Sequence, residues 1–249
     1  VGGGATLTNN GTINADAGGT ISVTPNGALT NNGLFRAQDG ALTLGRSVSG
    51  TGTLQVDPSG VMTLANGGNT QGRLVMGAAG SAINIGSGNL VINNDYTNAG
   101  AGTGNSFNRR AGVTGAGQLR AGGDVTQVIS GTGVTGGNTA NATLTIGNVR
   151  VGANTFNYQI GNSGTTGPTL RGAVQTAANG GNISDARLSG SGVTAGNYNA
   201  GGPGANSGDL AVVFNAASAG ALAPLAGQVL NLRSNFENIA DQKLNIVLA

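Results

Sequence analysis

Nine carboxylates are the whole acidic complement of this 249-residue chain: eight Asp and the single Glu237. Asp16, Asp39 and Asp57 follow one another at intervals of 23 and 18 residues. Carboxylates stacked at such spacing could hold Ca²⁺ or form an acid–base pair on a polysaccharide. Each of the three also sits in or beside a Gly or Pro turn, where Asp caps the backbone and solubilises. Turn capping is the role expected of them. The basic side is as sparse: ten Arg and one Lys, Lys243. Arg109-Arg110 is the one adjacent pair and a candidate contact for an anionic glycan or a partner's carboxylates; the alternative is two solvated or ion-paired side chains. The chain has no His and no Cys. That removes a Ser–His–Asp triad, a His proton shuttle, an ordinary zinc site, disulfides and thiol chemistry. The expectation is therefore no catalytic residue, no cofactor and no metal: not an enzyme.

The same scarcity bears on partners. Formal net charge is +2, with no basic stripe of the kind that tracks nucleic acid. Five Phe and three Tyr are scattered, most of them on apparent core strands, so stacking on bases is unsupported as well. No apolar run reaches the 18 residues of a membrane helix, and residues 1–4, VGGG, lack the charged and apolar regions of a leader.

The elements that must carry these residues are strands. Gly fills 49 positions and charged residues 8%, against about 7% Gly and about 25% charge in an average chain. Apolar residues still reach 38% and recur in short alternating runs, which argues against disorder. Residues 6–15, TLTNNGTINA, return as ALTNNGLFRA at 28–37, an offset of 22; residues 19–23 return at 40–44, an offset of 21. A period of that length fits one coil of a parallel β-solenoid. In 53–57 the apolar positions are Leu54 and Val56; in 81–85 they are Ile83 and Ile85. Asn-Gly at 10–11, 26–27, 32–33 and 66–67 marks turns that tolerate positive φ; Gly is also favoured where stacked turns approach closely, and stacked Asn predicts amide ladders.

This reading gives an all-β chain in three parts. Residues 1–95 form the parallel β-solenoid, 96–123 an irregular coil or connector, and 124–249 an immunoglobulin-like β-sandwich. In the last part the period disappears. Seven strands are expected at 142–151, 155–161, 169–176, 183–193, 208–215, 227–234 and 242–248. The Ala-rich stretch 216–226 contains Gly220 and Pro224, which argue against a helix.

Residues 145–152, TIGNVRVG, are similar to the FGNVRVG opening of bacterial choice-of-anchor D domains, immunoglobulin-like modules related to the ASH group. Gly161-Asn162-Ser163-Gly164 resembles that family's N-x-G turn, and Asn235-Phe236 its closing NF element. Residues 94–110 resemble a stretch that precedes such domains in very large bacterial surface proteins. The solenoid part resembles autotransporter passengers and haemagglutinin-like adhesins. These resemblances imply secretion, a place on the bacterial cell surface, and a structural or adhesive role; they carry over no binding residue. GGPGAN at 201–206 is similar to one copy of the Ca²⁺-binding GGxGxD repeat, but Asn206 stands where Asp is needed, and a lone copy reads as a hairpin loop.

The expectation is an extracellular stalk or fibre segment, or a head-to-tail filament subunit. Its partners would be neighbouring copies or further domains, with surface glycans as a further class. Leu244, Ile246 and Leu248 of the last strand are candidates for end-to-end strand pairing, as is an open coil edge at Val1. The alternative is a carbohydrate-binding or carbohydrate-active β-helix module built on Asp16, Asp39 and Asp57.

Overall fold

A computed structural model describes residues 4–249. Val1–Gly3, including the coil edge expected at Val1, lie outside the described residues. The first coil is β1 (Leu7–Asn9), β2 (Thr12–Ala15) and β3 (Thr20–Val23). The second is β4 (Leu29–Asn31), β5 (Leu34–Ala37) and β6 (Ala41–Leu44). The third is β7 (Val48–Ser49), β8 (Thr53–Val56) and β9 (Val61–Leu64). Next come β10 (Asn69–Met76) and β11 (Ala82–Asn84), then β12 (Leu90–Asn98) and β13 (Val113–Thr114), and β14 (Leu119–Ala121) ends the stack. All neighbours pair in parallel, which makes this a β-solenoid.

The repeat seen in the sequence is the register itself. Leu7, Thr8 and Asn9 pair with Leu29, Thr30 and Asn31. Because strand side chains alternate between faces, one residue in two points inward and stacks on its equivalent. Ile13, Phe35, Leu54, Leu74 and Tyr96 form one such column. Ile21, Leu42, Met62, Ile83 and Val113 form another.

Of the two roles open to a turn glycine, positive φ and close approach of stacked turns, Gly27, Gly33 and Gly67 serve the second. Gly11, Gly27, Gly33 and Gly67 are absent from the positive-φ positions, which fall instead at Ala17, Gly18, Gly50 and Ser59 among others. A Cβ on Gly33 would collide with the Gly11 carbonyl oxygen of the coil below. Gly33 is small because coils stack backbone on backbone there. The amide ladder does form. Asn9 Nδ2 donates to Asn31 Oδ1 (2.8 Å), and Asn31 Nδ2 donates to Gln71 Oε1 (2.7 Å), all inside the stack.

Of the two alternatives for residues 96–123, the pairing matches the irregular coil rather than the connector. Paired residues of the regular coils are 19–22 apart, and the last step widens to 29–30 without breaking the ladder: Ile83 pairs with Val113 and Leu90 with Leu119. The extra length is an excursion between Asn98 and Val113 that leaves the coil and touches the second half of the chain.

That second half has two sheets. One has the order β15 (Gln127–Ser130), β18 (Gly152–Asn162), β22 (Leu210–Ala216), β20 (Leu188–Ser189). The other contains β16 (Val134–Thr135), β17 (Asn141–Ile146), β24 (Gln242–Leu248), β23 (Gln228–Ser234), β19 (Leu170–Gln175) and β21 (Gly196–Gly201), in that order. Pairing is antiparallel except between β17 and β24. Strands were expected near six of these. The stretch 183–193 instead holds only the two residues of β20 and a 3₁₀ turn at Ser191–Val193. β15, β16 and β21 were not expected: β16 has only two residues, and β15 and β21 each carry only two apolar residues among polar ones and glycines.

The end-to-end pairing expected of Leu244, Ile246 and Leu248 is corrected by the topology. β24 lies between β17 and β23, so both of its edges are already paired. Leu244 and Ile246 are buried, and Leu248 sits opposite Ile146. A strand apolar on its inner face looks the same in sequence whether it lies at an edge or at the centre.

Asp124, between the two halves, clasps the loop beyond β18. Its carboxylate accepts from the amides of Thr165 (2.9 Å) and Thr166 (2.6 Å) and from both hydroxyls. These bonds, the Thr165 amide foremost, hold its carboxyl well below the usual range. A depressed carboxyl stabilises the fold above the unfolded value near ~4 and loses that effect only as pH falls through the lower folded value. NMR of the Asp124 carboxyl carbon should therefore show no titration between pH 5 and 3; a midpoint near 4 would contradict the clasp.

Candidate functional site: the junction of solenoid and sheets

A solenoid end presents a row of unpaired amides and carbonyls, which invites pairing unless something covers it. Here the segment after β23 covers the end strand β14. Glu237 N donates to Leu119 O (2.9 Å), and Leu119 N donates to Glu237 Oε2 (2.7 Å). Ala121 N donates to Asn238 Oδ1 (2.8 Å), and Asn238 Nδ2 donates to Ala121 O (3.0 Å). One backbone amide and two side chains thus stand in for the next coil.

Arg109 and Arg110, candidate partner contacts with ion pairing as the alternative, are ion-paired within the chain. The excursion of the last coil carries them to this junction. Arg110 Nη1 donates to Glu237 Oε2 (2.8 Å) and to Gly117 O (2.8 Å), and its Nη2 donates to Gly115 O (2.7 Å). Arg109 is buried, pairs with Asp241, and donates from Nη1 to Phe236 O (2.8 Å). The separation of 127 residues between Arg110 and Glu237 explains why sequence spacing held no sign of the pair. Glu237→Ala should cost about 1–3 kcal/mol in chemical denaturation, because it leaves the Leu119 amide without its acceptor and removes the ion pair of Arg110; a change below about 0.5 kcal/mol would show that the cap does little.

Phe236 is fully buried, its ring tilted against Tyr96 with centroids 5.9 Å apart. Asn235 Oδ1 accepts from Arg171 N (3.2 Å). Asn105, on the excursion, accepts from Thr176 N (2.8 Å) and Ala177 N (3.0 Å) just beyond β19. One continuous apolar core runs from Ala15 in the first coil to Ile246 in the last strand.

Beside these contacts lies a cavity of about 420 Å³. Its buried wall includes Met76, Tyr96, Phe107, Arg109 and Tyr198; Thr97, Asn98, Ala99, Arg171 and Asn197 are at the more open side. Burial pushes the Tyr96 phenol up to about 12, partly offset by the bond from Asn98, and drives Tyr198 above its ordinary value. Neither phenol exchanges protons near neutrality, so neither is suited to general acid–base work.

The stacked-carboxylate alternative finds little in the coil register. Ala15, Ala37 and Val56 stack, so Asp16, Gln38 and Asp57 follow in line, with Gln38 between the acids. Asp39 is one position further round its turn. Asp57 is tied to Arg36, whose Nε donates to it at 2.7 Å. No cluster of three potential metal ligands occurs among the described residues. Asn206 accepts from Gly208 N (2.9 Å) and belongs to a loop bridged to Gly161. No helix among the described residues is long and apolar enough to cross a membrane.

Comparison with known protein families, curated proteins and solved structures finds no match to this chain. Sequence reasoning missed Asp95, Arg171 and Asp241 at the junction. Isolated Arg and Asp residues, in a chain with so few charges, were the only available signal.

Proposed function

We propose that this chain is a non-catalytic structural segment of an extracellular, bacterial surface protein, a stiff stalk element in which a β-solenoid is fused to a β-sandwich module. The observation that carries the reading is the cap on β14. Its bonds continue the coil ladder into the second half of the chain, and the core continues with them. A solenoid transmits force along its axis because each coil contacts mainly its neighbours. A hinge at the junction would waste that stiffness.

Strand order supports an immunoglobulin-like reading of the second half. β15-β18-β22-β20 has the order A-B-E-D, and β24-β23-β19 has the order G-F-C. The departures are β20 preceding β21 in the chain and the added hairpin strand β16. The choice-of-anchor D reading rests on residues 145–152, 161–164 and 235–236. Two of these segments have structural work to do: Asn162 is buried with Gly164 N on its Oδ1 (3.2 Å), and Asn235-Phe236 closes the junction. The surface location rests on the same resemblance. With β24 paired on both edges, a stalk segment is favoured over a head-to-tail filament joined through that strand.

Single-molecule pulling from the two ends tests the proposal. The sheets and last coil should yield together in one high-force event. Separate low-force detachment of the sheets would overturn the stalk reading.

A further inference from the structure

We propose that the junction cavity is a binding site for a small organic carboxylate with an apolar, preferably aromatic, body. Asp95 is shared between Arg73 (3.4 Å) and Arg171, and Asp241 between Arg109 and Arg233 (4.0 Å). Each group has two arginines and one carboxylate, an excess of one positive charge. Three further pairs are balanced: Arg36–Asp57, Arg110–Glu237 and Arg187–Asp185. The remaining Arg46, Arg120, Arg150 and Lys243 are offset by Asp16, Asp39, Asp124 and Asp209. Each of the two groups at the junction thus holds one cation more than its carboxylate balances. One arginine of each, Arg109 and Arg171, lines the cavity.

Arg109 is more than nine-tenths buried and forms part of the wall. The asparagines of the wall are already occupied. Asn98 Nδ2 donates to Tyr96 Oη (2.9 Å), Asn197 Oδ1 accepts from Gly104 N (3.1 Å), and Asn235 is bonded on both sides. The wall also has an apolar part, made by Met76, Tyr96, Phe107 and Tyr198. The volume lies within the range of about 300–1,000 Å³ usual for small-ligand sites, which favour interfaces between structural units. One acceptor-bearing anionic head with one ring or short chain meets this combination. A polyanion does not, because only two positive charges are present and part of the wall is apolar. The inference stands apart from the stalk reading.

Calorimetry on the full chain tests it with phenylacetate and its neutral isostere phenylacetamide, with aromatic ring NMR signals of Tyr96 and Tyr198 as the locator. Phenylacetate should bind one site and bind at least about tenfold tighter than phenylacetamide. Arg171→Gln should weaken phenylacetate about tenfold and leave phenylacetamide unchanged, since a lost charge–charge contact touches only the anion. Ala99→Trp, at an exposed position on the open side, should block both probes without disturbing the core. No binding at millimolar concentration, equal affinity for the two probes, ring signals that do not move, or full binding to the Ala99→Trp variant would each overturn the proposal.

Discussion

Phe236→Ala lowers the stability of the whole chain by about 3–5 kcal/mol, the usual cost of emptying a fully buried Phe site. The ring has no exposure and touches Tyr96, the last member of the column that begins at Ile13. Its removal opens a hole where the solenoid core meets the sheet core. The backbone oxygen of Phe236, which accepts from Arg109 and Ser234, loses its anchor at the same time. The denaturation midpoint should fall with little change in slope, because the chain still unfolds as one unit. The amides of Leu119 and Ala121 should lose exchange protection along with it, since the segment bonded to them is the one Phe236 pins. Phe236→Leu should cost about 1–2 kcal/mol, having kept most of the volume. A loss below about 1 kcal/mol for Phe236→Ala would mean the two cores are not coupled through this ring.

Asn31→Leu should be costly despite adding apolar bulk to an apolar interior. Asn31 has no exposure and serves three neighbours: Asn9 donates to it, and it donates to Gln71 and to Thr53 O (3.2 Å). The variant leaves the Asn9 amide and the Gln71 oxygen buried without their partners, at about 1–3 kcal/mol each. Burying leucine recovers part of this, so a net loss of about 2–4 kcal/mol is expected. Asn32→Ala is the control. Asn32 is exposed, bonded only to Asn10 along the stack, and should change stability by less than about 0.5 kcal/mol. Replacing Asn9, Asn31 and Gln71 together with apolar residues should restore much of the loss, because no buried polar group is then left alone. Urea denaturation of the three variants separates these outcomes. A single variant as stable as the parent would show that the ladder fills space and no more.

Which features were legible follows from the range over which each is encoded. The solenoid register was readable because its periodicity is local: residues one coil apart do the same job, so TLTNNGTINA and ALTNNGLFRA repeat the side chains that stack. Amide laddering followed from the same repeat. The turn glycines were located, but a demand for small size and a demand for positive φ select the same residue, so sequence does not say which applies at each turn. The excursion that carries Arg109 and Arg110 left irregular coil and connector undecided, because sequence alternation stops there while backbone pairing continues beyond it. The junction was illegible for another reason. Arg110–Glu237 and Arg171–Asp95 join residues 127 and 76 positions apart, with no repeat linking the partners. Placing β24 at the centre of its sheet depended on the same long-range pairing, with β17 a hundred residues upstream.

The central claim is that solenoid and sheets form one rigid, capped unit. The absence of native cysteine makes this directly measurable, since introduced thiols are the only ones labelled. Ser22 in the first coil and Asn215 in β22 are both exposed. With spin labels on Ser22→Cys and Asn215→Cys, pulsed electron resonance should give one narrow distance distribution, as narrow as that of a label pair within the solenoid. The same pair in the Phe236→Ala background should broaden. A broad or two-peaked distribution in the parent chain would contradict the rigid junction and the stalk function built on it.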